Sequence, residues 1–204
     1  MLYPGNYPYL EDVLSYVAIG ARSVENQEHR LTVSGLDVPA GMKNPVSGDM
    51  AVMLNSVRAA QSPHVFCYNR AEVQTTGNPF THCILRGALS AHGQCIPNYH
   101  YEDIRELQGL YAQSGLLNPA VIVDVSHANS SRQHTEQPRV AVEVMNSLKY
   151  STDVRALVKG LMIESYLVPG RQEPSENTFG KSITDACLGW EESERLVLKL
   201  AEMA

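Results

Sequence analysis

AVIVDVSH, residues 120–127, is the stretch that decides the fold. A short run of apolar residues ends in His127, a side chain able to bind a metal or move a proton. That is how a buried parallel strand reads when its C-terminal end opens on a site. Four further segments have the same form. SYVAIGAR (15–22) ends at Arg22, VPAGMK (38–43) at Lys43, THCILR (81–86) at Arg86, and LVKGLMIE (157–164) at Glu164. Three cations, then an imidazole and a carboxylate, point to a pocket that holds phosphate or carboxylate beside a metal.

The segments between these runs read as helices. Met50, Met53, Leu54 and Val57 share one face of a helix over 49–61. A helix over 101–114 carries Ile104, Leu107, Leu110 and Tyr111, with Gly115 as its stop. Further helices are expected over 23–34, ended by Gly35, over 138–150 with Pro138 in the first turn, and over 190–203. Strands alternating with helices define an α/β fold with a parallel sheet. The chain-end residues of the five runs stand about 21 to 43 positions apart, which suits successive βα units. Five strands do not close a barrel, and an eight-unit barrel needs ~250 residues. No GxGxxG or Walker A loop supports an open dinucleotide- or nucleotide-binding sheet. The expected architecture is therefore the last five units of a (β/α)8 TIM barrel, with the first three absent. It forms a single domain over 1–204, with a hairpin insertion over about 63–82.

Composition sets limits on function. The chain has 204 residues, 44% hydrophobic and 19% charged, with a formal net charge of −6. An acidic balance argues against nucleic acid as a partner but not against small anions, because a few converging cations reverse the field locally. No apolar run approaches the ~20 residues of a membrane span, and residues 1–13 lack the pattern of a signal peptide. A cytoplasmic location is expected. Cys67, Cys83, Cys95 and Cys187 include no CxxC pair, so reduced thiols are expected rather than a zinc knuckle. Asn129-Ser130-Ser131 fits a glycosylation sequon, which carries little weight without a secretory signal.

His127, Glu164 and Asp185 are the candidate metal ligands. One imidazole and two carboxylates suit Mn, Fe, Co or Zn better than Ca or Mg. Each also has a plainer reading: a hydrogen-bonded structural His, a solvated Glu, and an Asp that caps the following helix. Arg22 and Arg86 can fork onto phosphate oxygens, and Lys43 can act as a point charge on a phosphate or carboxylate. The plainer readings are an ion pair of Arg22 with Glu25 or Glu28, and a solvated Lys43. Arg86 follows an apolar strand and precedes Gly87, which lets another group approach the backbone. Cys187 lies close to Asp185 in sequence and is read as a packed thiol.

Taken together, AIGARSVENQEHR, SGLDVPAGMKN, TGNPFTHCILRG, VDVSHANSS, MIESYLVPG and GKSITDACLGW resemble the 3-deoxy-D-arabino-heptulosonate 7-phosphate (DAHP) synthases of the type I alpha class. The resemblance runs over nearly the whole chain but corresponds to the C-terminal part of the family. It implies a (β/α)8 barrel and an aldol-like condensation of phosphoenolpyruvate with erythrose 4-phosphate, releasing phosphate, at the head of the shikimate route to aromatic amino acids. By motif match, Arg22, Arg86 and the backbone N–H of Ala21 would hold the phosphoenolpyruvate phosphate. Lys43 would sit at its carboxylate and, with His127, count as catalytic. His127, Glu164 and Asp185 would be three of four metal ligands. The resemblance further implies a homo-oligomer and an aromatic amino acid effector.

Some family features differ. The GPCSIH-like motif with the fourth ligand and the KPRT-like motif that binds both substrates are not in this sequence. The chain is also shorter than relatives across Val65–Thr76, and Asp37 stands where relatives carry a small polar residue, which bears on feedback inhibition. Two rival readings stay open: a non-catalytic remnant or interaction subunit, and a related metal-dependent aldolase with another aldehyde.

Overall fold

The apolar runs become strands because most of their side chains are withdrawn from water, completely in β5 and least in β9, which favours short, nearly continuous hydrophobic segments. The computed structural model describes residues 11–68 and 70–204, which form two compact units. Of the described residues, the first unit comprises those up to Leu85 together with Glu106–Ile122, and the second Arg86–Arg105 and Val123–Ala204. The expectations that fall on 1–10 and on Asn69 lie outside the described residues.

In the first unit the order is β1 (Val17–Ile19), α1 (Gln27–Ser34), β2 (Ala40–Lys43), α2 (Met50–Gln61), β3 (Val65–Tyr68), β4 (Ala71–Gln74) and β5 (Thr81–Leu85). Strands β1, β2 and β5 lie side by side and parallel, with Ala18 opposite Gly41 and Met42 opposite Cys83. All five residues of β5 are buried. Ile19, Met42, Ile84 and Leu85, with Val33, Met53 and Val57, are fully buried in the core. Gly41 is required by this packing: a Cβ there would collide with the Ile84 side chain and the Tyr16 hydroxyl. Helix α2 occupies nearly the span its periodicity predicts, capped by Asp49, whose Oδ1 accepts the Val52 N–H at 3.0 Å. Helix α1 starts later than its apolar spacing predicts. Asn26 takes the N-cap and its Oδ1 accepts the His29 N–H at 3.2 Å. The residues before it turn back instead, with Ser23 N–H donating to Gly20 and Asn26 N–H to Ser23. Strands β3 and β4 form an antiparallel hairpin, with Val65 opposite Gln74.

The second unit begins with a short antiparallel hairpin whose strands, β6 (Ala88–Leu89) and β7 (Cys95–Ile96), have two residues each. Helix α3 (Tyr101–Ser114) and strand β8 (Val121–Asp124) belong partly to each unit. In the first unit, β8 continues the strand order beside β5, and Cys83 N–H reaches the Ala120 carbonyl at 3.2 Å. The second unit then runs through α4 (Gln137–Tyr150), α5 (Thr152–Leu157), β9 (Val158–Met162), β10 (Val168–Arg171), β11 (Lys181–Ser182) and α6 (Trp190–Met203). Strand β9 lies beside β8, where Val125 N–H donates to the Met162 carbonyl at 3.0 Å. Pro138 stands in the first turn of α4, where its missing N–H costs nothing. The molecule is thus an α/β fold on a parallel sheet. Among the described residues no helix is long and apolar enough to cross a membrane.

Candidate metal centre

His127 is set by the turn that leaves β8. Its φ is +52°, in the left-handed region, and Ser131 and Arg132 share that region at 52° and 60°. Non-glycine residues adopt it at a cost, so neighbours must hold them there. The Arg132 N–H closes the turn onto the His127 carbonyl at 2.7 Å, and Ser131 N–H donates to Ala128.

The imidazole is oriented from below. Asp124, fully buried at the end of β8, places Oδ2 3.0 Å from His127 Nδ1. Its other oxygen, Oδ1, accepts the Ser126 hydroxyl at 2.6 Å and the Ser126 N–H at 3.0 Å. The Ser126 hydroxyl, its proton given to Asp124, also lies 2.8 Å from His127 Nδ1 and offers it an acceptor; with only acceptors facing it, Nδ1 is assigned the proton of a neutral His127. The Nε2 lone pair then faces outward.

Two carboxylates meet it there. Glu164 Oε1 lies 3.4 Å and Asp185 Oδ2 3.9 Å from His127 Nε2. One ligand atom from each of the three residues falls within 4.8 Å of the others. Ligands on opposite sides of an ion at ~2.0–2.2 Å stand ~4.0–4.4 Å apart. One nitrogen and two oxygens at this spacing could hold a divalent transition metal, and the donor set fits such an ion better than a purely oxygen-seeking one.

Glu164 is fixed through its backbone. Gln137, fully buried at the start of α4, clamps both ends of that residue. Its Oε1 accepts the Glu164 N–H at 2.9 Å, and its Nε2 donates to the Glu164 carbonyl at 3.0 Å. That carbonyl also accepts the Leu188 N–H at 2.9 Å. Asp185 is more exposed, at 64% of its side chain. It caps no helix: Gly189 is the N-cap of α6 and makes no side-chain bond. Cys187 sits nearby, its Sγ 3.5 Å from the Asp185 carbonyl. Burial raises its pKa, and the Glu164 and Asp185 carboxylates raise it further against a Ser182 hydrogen bond, so it is held as a thiol.

The cationic candidates are distributed between the two units. Ala21 and Arg22 stand in the turn after β1, with Arg22 exposed, and Lys43 is the half-buried last residue of β2. All three belong to the first unit, and Arg86, in the second, follows β5 and is 6% exposed.

Asp124 and Gln137 carry no periodic mark in the sequence. The only trace of Asp124 is an acid inside VIVDV, at a position that a buried strand should give to an apolar residue. Gln137 lies one residue ahead of the expected start of its helix.

Comparison with known proteins follows the same pattern. The DAHP synthetase I family profile matches residues 1–198. A phospho-2-dehydro-3-deoxyheptonate aldolase of Haemophilus influenzae is 42% identical over 202 residues, covering 95% of this chain and 53% of the relative. The Tyr-sensitive phospho-2-dehydro-3-deoxyheptonate aldolase of Escherichia coli is 40% identical over 206 residues, covering 97% of this chain and 55% of the relative. A solved structure of the phospho-2-dehydro-3-deoxyheptonate aldolase of Francisella tularensis superposes with a TM-score of 0.86 at 35% identity, over 97% of this chain and 57% of that one. The chain spans about half the length of the curated relatives it matches.

Proposed function

This chain belongs to the DAHP synthetase I family, and from that premise we propose that it serves 3-deoxy-7-phosphoheptulonate synthesis. The reaction joins phosphoenolpyruvate to erythrose 4-phosphate, consumes one water, and releases inorganic phosphate. The parallel sheet is part of a (β/α)8 barrel, to which the chain contributes the last five units. The convergence of His127, Glu164 and Asp185 is the observation that carries this reading.

In this proposal those three residues hold a divalent ion drawn from Mn, Fe, Co and Zn. A bound ion supplies Lewis-acid polarisation of the sugar aldehyde. The chain's own groups do the rest. Asp124 keeps the His127 proton on Nδ1, so that Nε2 is available as a donor. Gln137 fixes the backbone from which Glu164 reaches the ion. Arg86 and Arg22, with the Ala21 N–H, bind the phosphate of phosphoenolpyruvate, and Lys43 meets its carboxylate. Lys43 and His127 are the residues proposed to act directly in catalysis. The name of the Escherichia coli relative as Tyr-sensitive supports an aromatic amino acid as effector, and a homo-oligomer in the cytoplasm completes the proposal.

The test is phosphate release from phosphoenolpyruvate and erythrose 4-phosphate by the protein with added Mn2+, repeated with excess chelator. Any release is expected to depend on both substrates and to stop with chelator. Release indifferent to the chelator, or to the aldehyde, would overturn the reading.

A further inference from the structure

Arg86 and His127 have separate roles in the proposed reaction, and the second unit ties the backbones that carry them together. Gly87, directly after Arg86, has φ +74°. Its N–H donates to Asn98 Oδ1 at 2.7 Å. The Asn98 N–H donates in turn to Asn129 Oδ1 at 2.9 Å. Asn129 Nδ2 donates to the Asp124 carbonyl at 2.8 Å, and Asp124 is the residue that orients the His127 imidazole. Asn98, Asn129 and Asp124 are 7%, 3% and 0% exposed. Hydrogen bonds made away from water hold one geometry, because an unmade one leaves a buried polar group without compensation. The backbones also touch: a Cβ on Gly87 would come 2.8 Å from the Ala128 Cβ and 2.8 Å from the Asn129 nitrogen. Gly87 therefore lets the Arg86 segment seat directly on the residues that follow His127.

We propose that Asn98 and Asn129 are positioning residues that fix the phosphate-binding Arg86 against the metal-binding His127, so that occupancy of either strengthens the other. The proposal rests on the functional reading above. An amide suits the role because it carries orientation without charge: it donates and accepts at once and adds no net field between a cationic group and a cation. Coupling between two bound ligands is reciprocal, so it can be read from the metal side alone.

The experiment measures Mn2+ affinity of the whole chain by electron paramagnetic resonance, with and without phosphoenolpyruvate. The wild type is expected to bind Mn2+ at least about fivefold more tightly when phosphoenolpyruvate is present. Asn129→Leu, which removes both bonds, is expected to bring that enhancement down to the level of Arg86→Ala. Asn98→Ala, which removes only the acceptor of the Gly87 N–H, should fall between. A merely structural role would lower the thermal midpoint and leave the enhancement of the folded fraction intact. Should Asn129→Leu fail to fold, Asn98→Ala carries the test. Full wild-type enhancement in the folded variants would overturn the proposal while leaving the functional reading in place. So would a wild type that binds both ligands without enhancement. A wild type that binds neither Mn2+ nor phosphoenolpyruvate would overturn both.

Discussion

The β1–β2–β5 ladder of the first unit and the 124–132 turn of the second are built by different physics. The ladder is apolar and regular. Its order comes from backbone hydrogen bonds between parallel strands and from side chains such as Ile19, Met42 and Ile84, none of them exposed. The turn has three non-glycine residues at positive φ and is held by polar side chains: Asp124, Ser126 and Asn129. Burial of area drives the first, and almost any apolar residue of the right volume serves. Directed hydrogen bonds specify the second, where exchanging one oxygen for a nitrogen changes the outcome. A scaffold tolerates approximation, and a metal centre needs its ligands oriented.

Substitutions can break this contrast at either end. The largest effect is expected in the ladder. Ile84→Ala removes most of a fully buried side chain from β5 and should cost about 2–5 kcal/mol, read as a lower midpoint in urea with the m-value unchanged. An unchanged midpoint would mean that β5 is not the packed centre of its unit.

In the turn the expected cost falls on binding. Asp124→Asn offers His127 Nδ1 an amide in place of a carboxylate and weakens its hold on the Nδ1 proton. Mn2+ or Co2+ affinity should fall about 10–100-fold, measured by titration calorimetry. Gln137→Leu releases both bonds to the Glu164 backbone while keeping an apolar volume, and a loss of about tenfold is expected, at the low end of that range. If neither variant moved the affinity, Asp124 and Gln137 would be ordinary core residues rather than supports of the centre.

The smallest effect belongs to a polar pair that joins Tyr16 to His82 of β5. His82 Nε2 lies 2.9 Å from the Tyr16 hydroxyl, and its Nδ1 lies 2.9 Å from the Phe80 carbonyl. Burial lowers the His82 pKa from 6.5, against an opposing contribution from the Phe80 hydrogen bond. Burial also pushes the Tyr16 hydroxyl up to about 12. A histidine whose folded pKa is depressed takes up its proton more readily when unfolded. Its contribution is therefore fully present above pH 6.5 and is lost as pH falls through the folded value. Urea midpoints at several pH values should fall below pH 6.5 more steeply in the wild type than in His82→Gln. Parallel curves would remove His82 as a source of pH dependence.

The same division explains how much of the structure could be read from the chain. The five apolar runs appear as strands β1, β2, β5, β8 and β9 because burial leaves a nearly continuous hydrophobic trace, strongest in β5 and broken in β9 by the exposed Lys159. Helices α2, α3, α4 and α6 appear because their lengths allow a 3.6-residue period to show. Helix α5, six residues, is too short for that, and β10 and β11 are brief segments that include Pro169, Gly170 and Lys181. His127, Glu164 and Asp185 were legible as chemistry-bearing residues near strand ends. Asp124, Gln137, Asn98 and Asn129 were not, because a buried polar side chain bonded to a distant partner leaves no periodic signature.

The most direct measurement is a Mn2+ titration of the wild-type chain and of His127→Ala by electron paramagnetic resonance, with thermal melts of both to confirm folding. The wild type should show one site that His127→Ala loses at an unchanged melting midpoint. Equal binding by the two folded proteins would contradict a metal centre built on His127, Glu164 and Asp185.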